Sequence, residues 1–175
     1  ENDWEKVLSA TIKKKPDEII NELISSELKG RGGAGFPTGL KWKLTAESKA
    51  PAKYVICNAD EGEPGTFKDR EILSKVPYKV LTAMAVCGYV TGGKEGYIYL
   101  RGEYKFLEEE LNKVIDEFEY YCKEINLDFK IKIFMGSGAY IYGEETALME
   151  SMEGRRGEPR NKPPFPTQAG YRGMP

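Results

Sequence analysis

The stretch "KYVICNADEGEPG", residues 53–65, begins with an apolar run and ends in carboxylates and glycines. Residues 53–59 predict a short strand, and the polar run after them predicts where that strand stops. Two later runs have the same character, "GYIYLRGE" at residues 96–103 and "DFKIKIFMG" at residues 128–136. They predict two further strands, so that this segment is the first strand of a sheet.

Helical patterns separate these strands. Residues 16–30 keep an apolar spacing near 3.6, begin with Pro16 and Asp17, and stop at Gly30. Further predicted helices cover residues 78–90, 104–126 and 143–154, and residues 155–175 form a loop rich in proline and glycine. Alternation of strands and helices is typical of an α/β protein with a parallel sheet. Ligands of such sheets bind at the carboxyl ends of the strands.

Composition narrows the class of protein. A chain of 175 residues predicts one domain, and a net charge of −2 argues against nucleic acid as a partner. No apolar run approaches membrane-spanning length, so direct membrane insertion is not expected. The chain lacks histidine, which removes the usual triads and most zinc sites. Three scattered cysteines without a CxxC pair fit a reducing, cytoplasmic compartment.

Because the sequence starts without Met and stops at "YRGMP", we expect a segment of a longer polypeptide.

The segment "GRGGAGFPTGLKW", residues 30–42, matches G-x-G-x-x-G at residues 30–35. The dinucleotide fingerprint requires a strand before it and a helix after it, whereas here a helix precedes and Phe36 and Pro37 follow. The P-loop pattern is absent as well. Consecutive glycines nevertheless let backbone N–H groups approach an anion or a flat ring, and Arg31 and Lys41 add positive charge. The alternative is a mobile surface loop.

Carboxylates are dense after the first strand, in "CNADEGEPGTFKDR". Asp60, Glu61 and Glu63 could accept hydrogen bonds from ribose hydroxyls, flavin N–H groups or a carboxamide. One alternative is a solvated acidic turn. Another is a site for a hard cation such as Mg²⁺ or Ca²⁺, although the spacing matches no known ligand loop.

Two later segments also carry polar chemistry. "GSGAYIYGEETAL" follows the third strand and opens a helix, where N–H groups often meet phosphate. Glu144 and Glu145 would repel a phosphate there, so we expect them to face sugar hydroxyls, or simply to cap the helix. In "RNKPPFP", Phe165 could stack on a base and Lys162 could meet a phosphate; the alternative is a proline-rich connector. Together the segments predict a nucleotide site without acid–base machinery, which suits hydride transfer between cofactors.

These segments, together with "EGRRGEPR", resemble the NADH-oxidising flavoprotein subunit of respiratory complex I. The same module occurs in NAD-linked hydrogenases and formate dehydrogenases, and the likeness runs from about residue 17 to the end. The resemblance implies a Rossmann-like, three-layer α/β domain with a mostly parallel sheet, preceded by a helix and a Gly-rich loop. It implies that residues 1–175 form a single FMN/NADH-binding domain, without the ubiquitin-like and 4Fe–4S domains found C-terminally in the family.

The resemblance also implies roles for particular residues. Glu63 would hold the nicotinamide carboxamide and align it for hydride transfer, as the one catalytic residue. Glu145 would meet the adenosine ribose, Lys162 the phosphates, and Phe36 and Phe165 the adenine. Contacts with FMN are implied for Gly30, Arg31, Gly32, Lys41, Asn58, Asp60, Tyr140, Gly143 and Glu144, and cofactor binding more broadly for Gly33, Ala34, Gly35 and Glu61.

The sequence departs from the family at several points. Lys43 and Leu44 stand where an aromatic residue is frequent, and Tyr142 stands where Cys is common. The chain stops before an Asn-Asn segment that contacts FMN in the family, and its cysteines cannot hold a 4Fe–4S cluster. Electrons would therefore pass to iron–sulfur clusters elsewhere in the parent protein and in partner subunits. The alternative function is a nucleotide-binding or interaction module without redox activity.

Overall fold

A computed structural model describes residues 3–175. Its sheet has three parallel strands in the order β1 (Tyr54–Ala59), β2 (Glu95–Leu100) and β3 (Lys130–Met135). The register aligns the strands, since Ala59 lies opposite Leu100 and Leu100 opposite Met135. The three loops that leave the carboxyl ends of the strands therefore start level with one another, at one edge of the sheet.

Seven helices accompany the strands in the described residues. They are α1 (Trp4–Thr11), α2 (Pro16–Ser25), α3 (Thr38–Glu47), α4 (Lys68–Lys75), α5 (Pro77–Thr91), α6 (Glu108–Glu124) and α7 (Glu145–Met152). Short 3₁₀ turns cover Gly102–Leu107, Tyr140–Gly143 and Tyr171–Gly173. None of the helices in residues 3–175 is long and apolar enough to cross a membrane.

The sheet is covered on both faces, because successive side chains of a strand point to opposite sides. Ile98 and Leu100 belong to a core that also contains Leu81 of α5 and Phe118 of α6. Tyr97 and Tyr99 belong to a second core with Leu148, Met149 and Met152 of α7 and with Tyr171. This arrangement confirms the predicted α/β, Rossmann-like, three-layer architecture with a parallel sheet.

An aromatic cluster attaches α1, a helix that the sequence analysis did not predict. The Trp4 ring stacks on Tyr78 at 4.8 Å between ring centres, and it also meets Phe118 and Tyr121, both at 5.1 Å. These partners belong to α5 and α6. The short helix is therefore held by this aromatic packing and by Leu8, which is fully buried in the core, and little by its own propensity.

Several predicted boundaries were wrong. The helix predicted for residues 16–30 ends at Ser25, because Glu27 takes a left-handed backbone (φ 53°). The strand predicted for residues 96–103 ends at Leu100, and a 3₁₀ turn follows it, so that α6 begins four residues later than predicted. The helix predicted for residues 143–154 covers only Glu145–Met152, since Glu144 is its N-cap.

Helices α3 and α4 were missed for different reasons. In α3 the apolar residues Leu40, Trp42 and Leu44 alternate, so they lack helical spacing. The segment of α4 is mostly charged, and it looked like part of the acidic turn. The location of α3 also corrects the interpretation of the glycine segment, because that segment does open a helix immediately after Pro37. Helix α2 precedes the segment, as predicted, and a single antiparallel bridge between Lys29 and Pro37 joins its two ends.

Candidate functional site

Asn58, at the end of β1, joins two of the three loops at the carboxyl edge. Its Nδ2 donates to the Gly143 carbonyl at 2.9 Å, and its Oδ1 accepts from the Asp60 N–H at 3.1 Å. The loops also touch at Gly62, where a Cβ would lie 3.1 Å from the Tyr140 ring and 3.2 Å from its Cα. Glycine at this position lets the loops after β1 and β3 approach closely, and they form one surface.

Asp60 is the unsatisfied group of that surface. It is 6% exposed, and both of its carboxylate oxygens find no hydrogen-bond partner within residues 3–175. Burial raises the pKa of Asp60 to about 6, although the nearby Arg101 acts in the opposite direction. An unpartnered buried carboxylate costs free energy, so this position is suited to the donors of a ligand.

Glu61 is equally buried but its side chain is fully engaged. Its oxygens accept from the Asp69 N–H at 3.1 Å and from the Tyr104 hydroxyl at 2.9 Å, with Lys68 Nζ at 3.8 Å. Arg101 donates to the Glu61 backbone carbonyl. The carboxylate thus fixes the start of α4 against the 3₁₀ turn after β2. Cofactor binding by Glu61 stays a prediction, and its carboxylate would have to leave these partners to take part.

Glu63 lies further out on the same loop and is exposed. The Tyr140 hydroxyl donates to Glu63 Oε2 at 2.9 Å, which raises the pKa of that tyrosine. The structure therefore brings together two of the predicted site residues, from the loops after β1 and β3. One oxygen of the exposed carboxylate remains available to a donor from a ligand.

Glu144 and Glu145 differ although they are neighbours. Glu144 caps α7, since its carboxylate accepts from the N–H groups of Thr146 at 2.9 Å and Ala147 at 3.0 Å. Burial acts to raise its pKa, but these hydrogen bonds and Lys162 hold the pKa of Glu144 below its usual range. Glu145 instead extends between two ammonium groups, Lys162 Nζ at 2.7 Å and Lys41 Nζ at 3.8 Å. The capping interpretation therefore applies to Glu144 but does not account for Glu145.

The glycine loop, residues 30–36, closes on itself through the Gly30 N–H, which donates to the Phe36 carbonyl at 2.9 Å. Gly33 (φ 111°) and Gly35 (φ 61°) have left-handed backbones. Among the described residues, no atom lies within 4 Å of a Cβ built on Gly32, Gly33 or Gly35. The backbone of the loop is thus open, and its exposed members include Arg31, Ala34 and Phe36. Lys41, whose Nζ is 6.0 Å from the Phe36 ring centre, connects this region to Glu145.

The strap, residues 160–170, is the proline-rich segment on the other side of Glu145. Phe165 is 53% exposed, and its backbone is held by a turn in which its N–H donates to Gln168 Oε1 at 3.0 Å. Lys162 and Phe165 were predicted here, whereas Arg160 was not, and neither was Arg101. The contacts of Arg160 with Glu150 and Gly170, and that of Arg101 with Glu61, form only when separate elements pack together, so they leave no pattern in the sequence.

Comparison with known proteins gives a consistent result. The family described as the Nuo51 FMN-binding domain matches residues 23–172. The chain is 47% identical to a subunit of the NADH-quinone oxidoreductase of Aquifex aeolicus, over 96% of the chain and 41% of that protein. It is 48% identical to NADP-reducing hydrogenase subunit HndC of Solidesulfovibrio fructosivorans, over 95% of the chain and 34% of that protein.

A solved structure agrees with the fold. The crystal structure of an NAD⁺-reducing [NiFe]-hydrogenase in the H₂-reduced state superposes with a TM-score of 0.89 at 39% identity, over 95% of this chain and 30% of that one. The chain thus spans between about a third and two fifths of the length of the curated relatives described above.

Proposed function

Because the chain belongs to the Nuo51 FMN-binding domain family, we propose that it is the FMN- and NADH-binding part of an NADH:acceptor oxidoreductase. In the complete protein, a hydride would pass from NADH to FMN, and the electrons would continue to iron–sulfur clusters outside these residues and in partner subunits. The relatives that support this proposal are an NADH-quinone oxidoreductase subunit and hydrogenase subunits that reduce pyridine nucleotides.

Asp60 carries the proposal. Its two unpartnered carboxylate oxygens sit at the carboxyl edge of a parallel sheet, where such folds bind ligands. The N–H and hydroxyl groups of FMN are donors of the kind that this carboxylate lacks, so the residues present fit the cofactor. When bound, FMN accepts two electrons as a hydride and releases them one at a time.

The other side chains bind and orient. Asn58 fixes the Gly143 carbonyl and the Asp60 backbone, and it would thereby shape the surface that we propose for FMN. The Gly30, Arg31 and Gly32 backbone, and Lys41, would meet the cofactor from the glycine loop and α3. Orientation of this kind accelerates a transfer between two bound rings without any proton transfer from the protein.

Glu63 would accept a hydrogen bond from the nicotinamide carboxamide. Its hydrogen bond with Tyr140 holds the carboxylate in place before NADH arrives. On the adenosine side, Glu145 would accept from ribose hydroxyls, Lys162 would face the phosphates, and Phe36 and Phe165 would contact the adenine.

The test uses the full natural chain. Purified protein with added FMN should show the visible absorption of a bound flavin, and NADH should bleach it in an anaerobic stopped-flow measurement. Glu63→Gln should retain FMN and slow the bleaching about tenfold or more, since an amide changes the hydrogen bonding at unchanged size. Glu109→Gln, on the exposed face of α6, is the matched control.

Two outcomes would count against the proposal. Protein that binds no FMN is not the flavin module of an oxidoreductase. Protein that binds FMN and NADH without bleaching is a binding module without redox activity.

A further inference from the structure

One side chain, Arg160, closes the strap at both of its ends. Its Nη1 donates to the Gly170 carbonyl at 2.8 Å, across ten residues of chain. At the C-terminal end of α7 its Nη2 pairs with Glu153 at 2.9 Å and its Nε pairs with Glu150. The guanidinium therefore joins the first and last residues of the strap to the end of α7.

The backbone of Arg160 makes a further contact, with the first half of α7. Its N–H donates to Thr146 Oγ1 at 2.9 Å, and the same hydroxyl donates to Glu144. Two residues further on, Lys162 Nζ reaches Glu144 at 3.3 Å and Glu145 at 2.7 Å. A continuous series of hydrogen bonds thus leads from Arg160, at the start of the strap, to the carboxylates at the N-terminus of α7.

We propose that Arg160 is a positioning residue for the pyridine nucleotide. It would hold Lys162 in place at the N-terminus of α7, and with it the segment that carries Phe165, before the ligand binds. This inference rests on the proposed function, because the two positioned side chains are those assigned to phosphate and adenine. A planar guanidinium suits the task, since its three nitrogen atoms donate to three different residues in a fixed geometry, whereas the donors of an ammonium group share one atom.

The neighbouring Arg155 provides a matched comparison. It pairs with the same two carboxylates, Glu150 at 2.9 Å and also Glu153. Its side chain, however, contacts no acceptor of the strap among the described residues, and it is 55% exposed compared with 26% for Arg160. A role in the ion-pair network is thus shared by the two arginines, whereas closure of the strap belongs to Arg160.

The experiment compares Arg160→Lys with Arg155→Lys in the full natural chain loaded with FMN. Hydrogen–deuterium exchange of residues 161–169 reports the order of the strap, and calorimetry with ADP-ribose, which has no nicotinamide to react, reports binding. Arg160→Lys should speed exchange and raise the Kd for ADP-ribose, each about tenfold. The reason is that a small displacement of Lys162 and Phe165 weakens their contacts with the bound nucleotide. Its FMN content should stay unchanged, and Arg155→Lys should change both readouts less than about twofold.

Thr146→Val is a second variant in case Arg160→Lys does not fold. It leaves the guanidinium in place and removes the hydroxyl that accepts the Arg160 N–H. Faster exchange in the strap and a Kd raised a few-fold are expected.

Other outcomes overturn the inference. If Arg155→Lys weakens ADP-ribose binding as much as Arg160→Lys, the network is merely structural. If exchange rises without a change in Kd, the order of the strap is irrelevant to the nucleotide.

Lys162→Met separates the inference from the proposed function. If Lys162→Met raises the Kd for ADP-ribose and Arg160→Lys does not, only the role of Arg160 is overturned. If neither variant changes the Kd for ADP-ribose, the strap does not contact the nucleotide. The proposed function would still be supported if NADH bleaches FMN in the wild-type protein.

Discussion

The glycine loop and the strap are both irregular, yet the protein holds them in opposite ways. In the strap, several polar groups find partners within the chain, through Arg160, Thr146 and the carboxylates of α7. In the glycine loop, three glycines have no neighbouring atom within 4 Å of a Cβ position among the described residues. Asp60 resembles the loop in this respect, since its carboxylate is left without a partner in residues 3–175.

The difference shows two ways of preparing a binding site. A segment that satisfies its own polar groups is positioned before the ligand arrives and loses little entropy on binding. The exposed backbone of the glycine loop, and the buried carboxylate of Asp60 without partners, leave hydrogen bonds for the ligand to complete. We therefore expect the strap to set where the nucleotide lies, and the loop and Asp60 to contribute more of the binding free energy.

The largest effect should come from breaking the glycine loop. Gly33→Val places a β-branched residue at φ 111°, a backbone that such residues do not adopt, so the loop must change its path. We expect the affinities for FMN and NADH, measured by calorimetry in the full natural chain, to fall about 100-fold. The melting temperature should change little, because the surroundings of Gly33 are open within the described residues.

Gly92→Val is the control for that variant. Gly92 ends α5, away from the loops at the carboxyl edge, and it combines open surroundings among the described residues with a positive φ of 83°, so that valine is strained there without touching the site. Affinities within about threefold of wild type are expected. If Gly33→Val also keeps wild-type affinities, the glycine loop is not part of the site.

The next effect concerns the unsatisfied carboxylate. Asp60→Asn should weaken FMN binding about tenfold or more, because a charged acceptor is replaced by a neutral amide. It should also stabilise the protein without cofactor at pH 7, by about 1–3 kcal/mol, since it removes a buried charge. Asp128→Asn, at an exposed ion pair with Lys94, is the control.

The pH dependence of that gain follows from the raised pKa. Asp60 titrates near 6 in the folded protein and near its ordinary 3.8 when unfolded. Folding is favoured by its protonated form, so the penalty is absent below about pH 4 and grows as the pH rises through 6. Chemical denaturation of both proteins at pH 4 and pH 8 should give equal stabilities at the lower pH only. A constant difference would mean that Asp60 is not the titrating group.

A smaller effect is expected from Glu145, which stands between the two regions. Glu145→Gln should raise the ratio of kcat/KM for NADPH to that for NADH by about three- to tenfold, because a carboxylate near the ribose repels a 2′-phosphate. The change is modest because Lys41 and Lys162 already compensate the charge and the side chain is 44% exposed. Relatives named for NADH and for NADP are similarly identical to this chain, so the ratio is worth measuring directly.

Measuring this kcat/KM ratio at two salt concentrations tests whether Glu145 acts on the nucleotide through its charge. Glu158→Gln, an exposed carboxylate paired with Arg156, should leave the ratio unchanged at every salt concentration. Parallel losses for both nucleotides in Glu145→Gln would assign this residue a structural role.

The smallest effect concerns acid stability of the strap. Hydrogen bonds from Arg155, together with the charge of Arg160, lower the pKa of Glu150 to about 2. The stability that this pairing supplies is present above pH 4.5 and is lost as the pH falls from 4.5 toward 2. Glu150→Gln should therefore lower the melting temperature by about 2–4 °C at pH 7. The difference from wild type should shrink as the pH falls below about 4.5 and be largely lost near pH 2, and a difference as large at pH 2 as at pH 7 would argue against it.

Much of the fold could be predicted from local patterns. β1, β2 and β3 are short apolar runs that end in polar residues, and such runs need no partner to be recognised. Helix α3 could not be predicted in this way, because its buried contacts come from α2 and α5 and leave no periodic signal of their own. Tertiary packing determines such helices more than propensity does.

In the candidate site, too, local sequence patterns could be predicted and contacts made by tertiary packing could not. The carboxylates after β1 were visible because three of them lie within four residues. That Asp60 lacks partners in residues 3–175 while Glu61 has several could not be predicted, since the partners Tyr104 and Asp69 arrive from other elements. The role of Arg160 was hidden for a similar reason, because its acceptors lie at the end of α7 and at the far end of the strap.

The aromatic cluster of α1 has an optical consequence. The chain has two tryptophans, and they occupy different environments. Trp4 lies among the rings of α5 and α6, whereas Trp42 follows Lys41 in α3 and packs near Ile19, Ile20 and Val90. Indole emission from a Trp4→Phe protein therefore comes from α3, the helix next to the glycine loop, and that from a Trp42→Phe protein comes from α1. The two proteins form a pair of fluorescent reporters, one on the helix that follows the glycine loop and one in the aromatic cluster of α1.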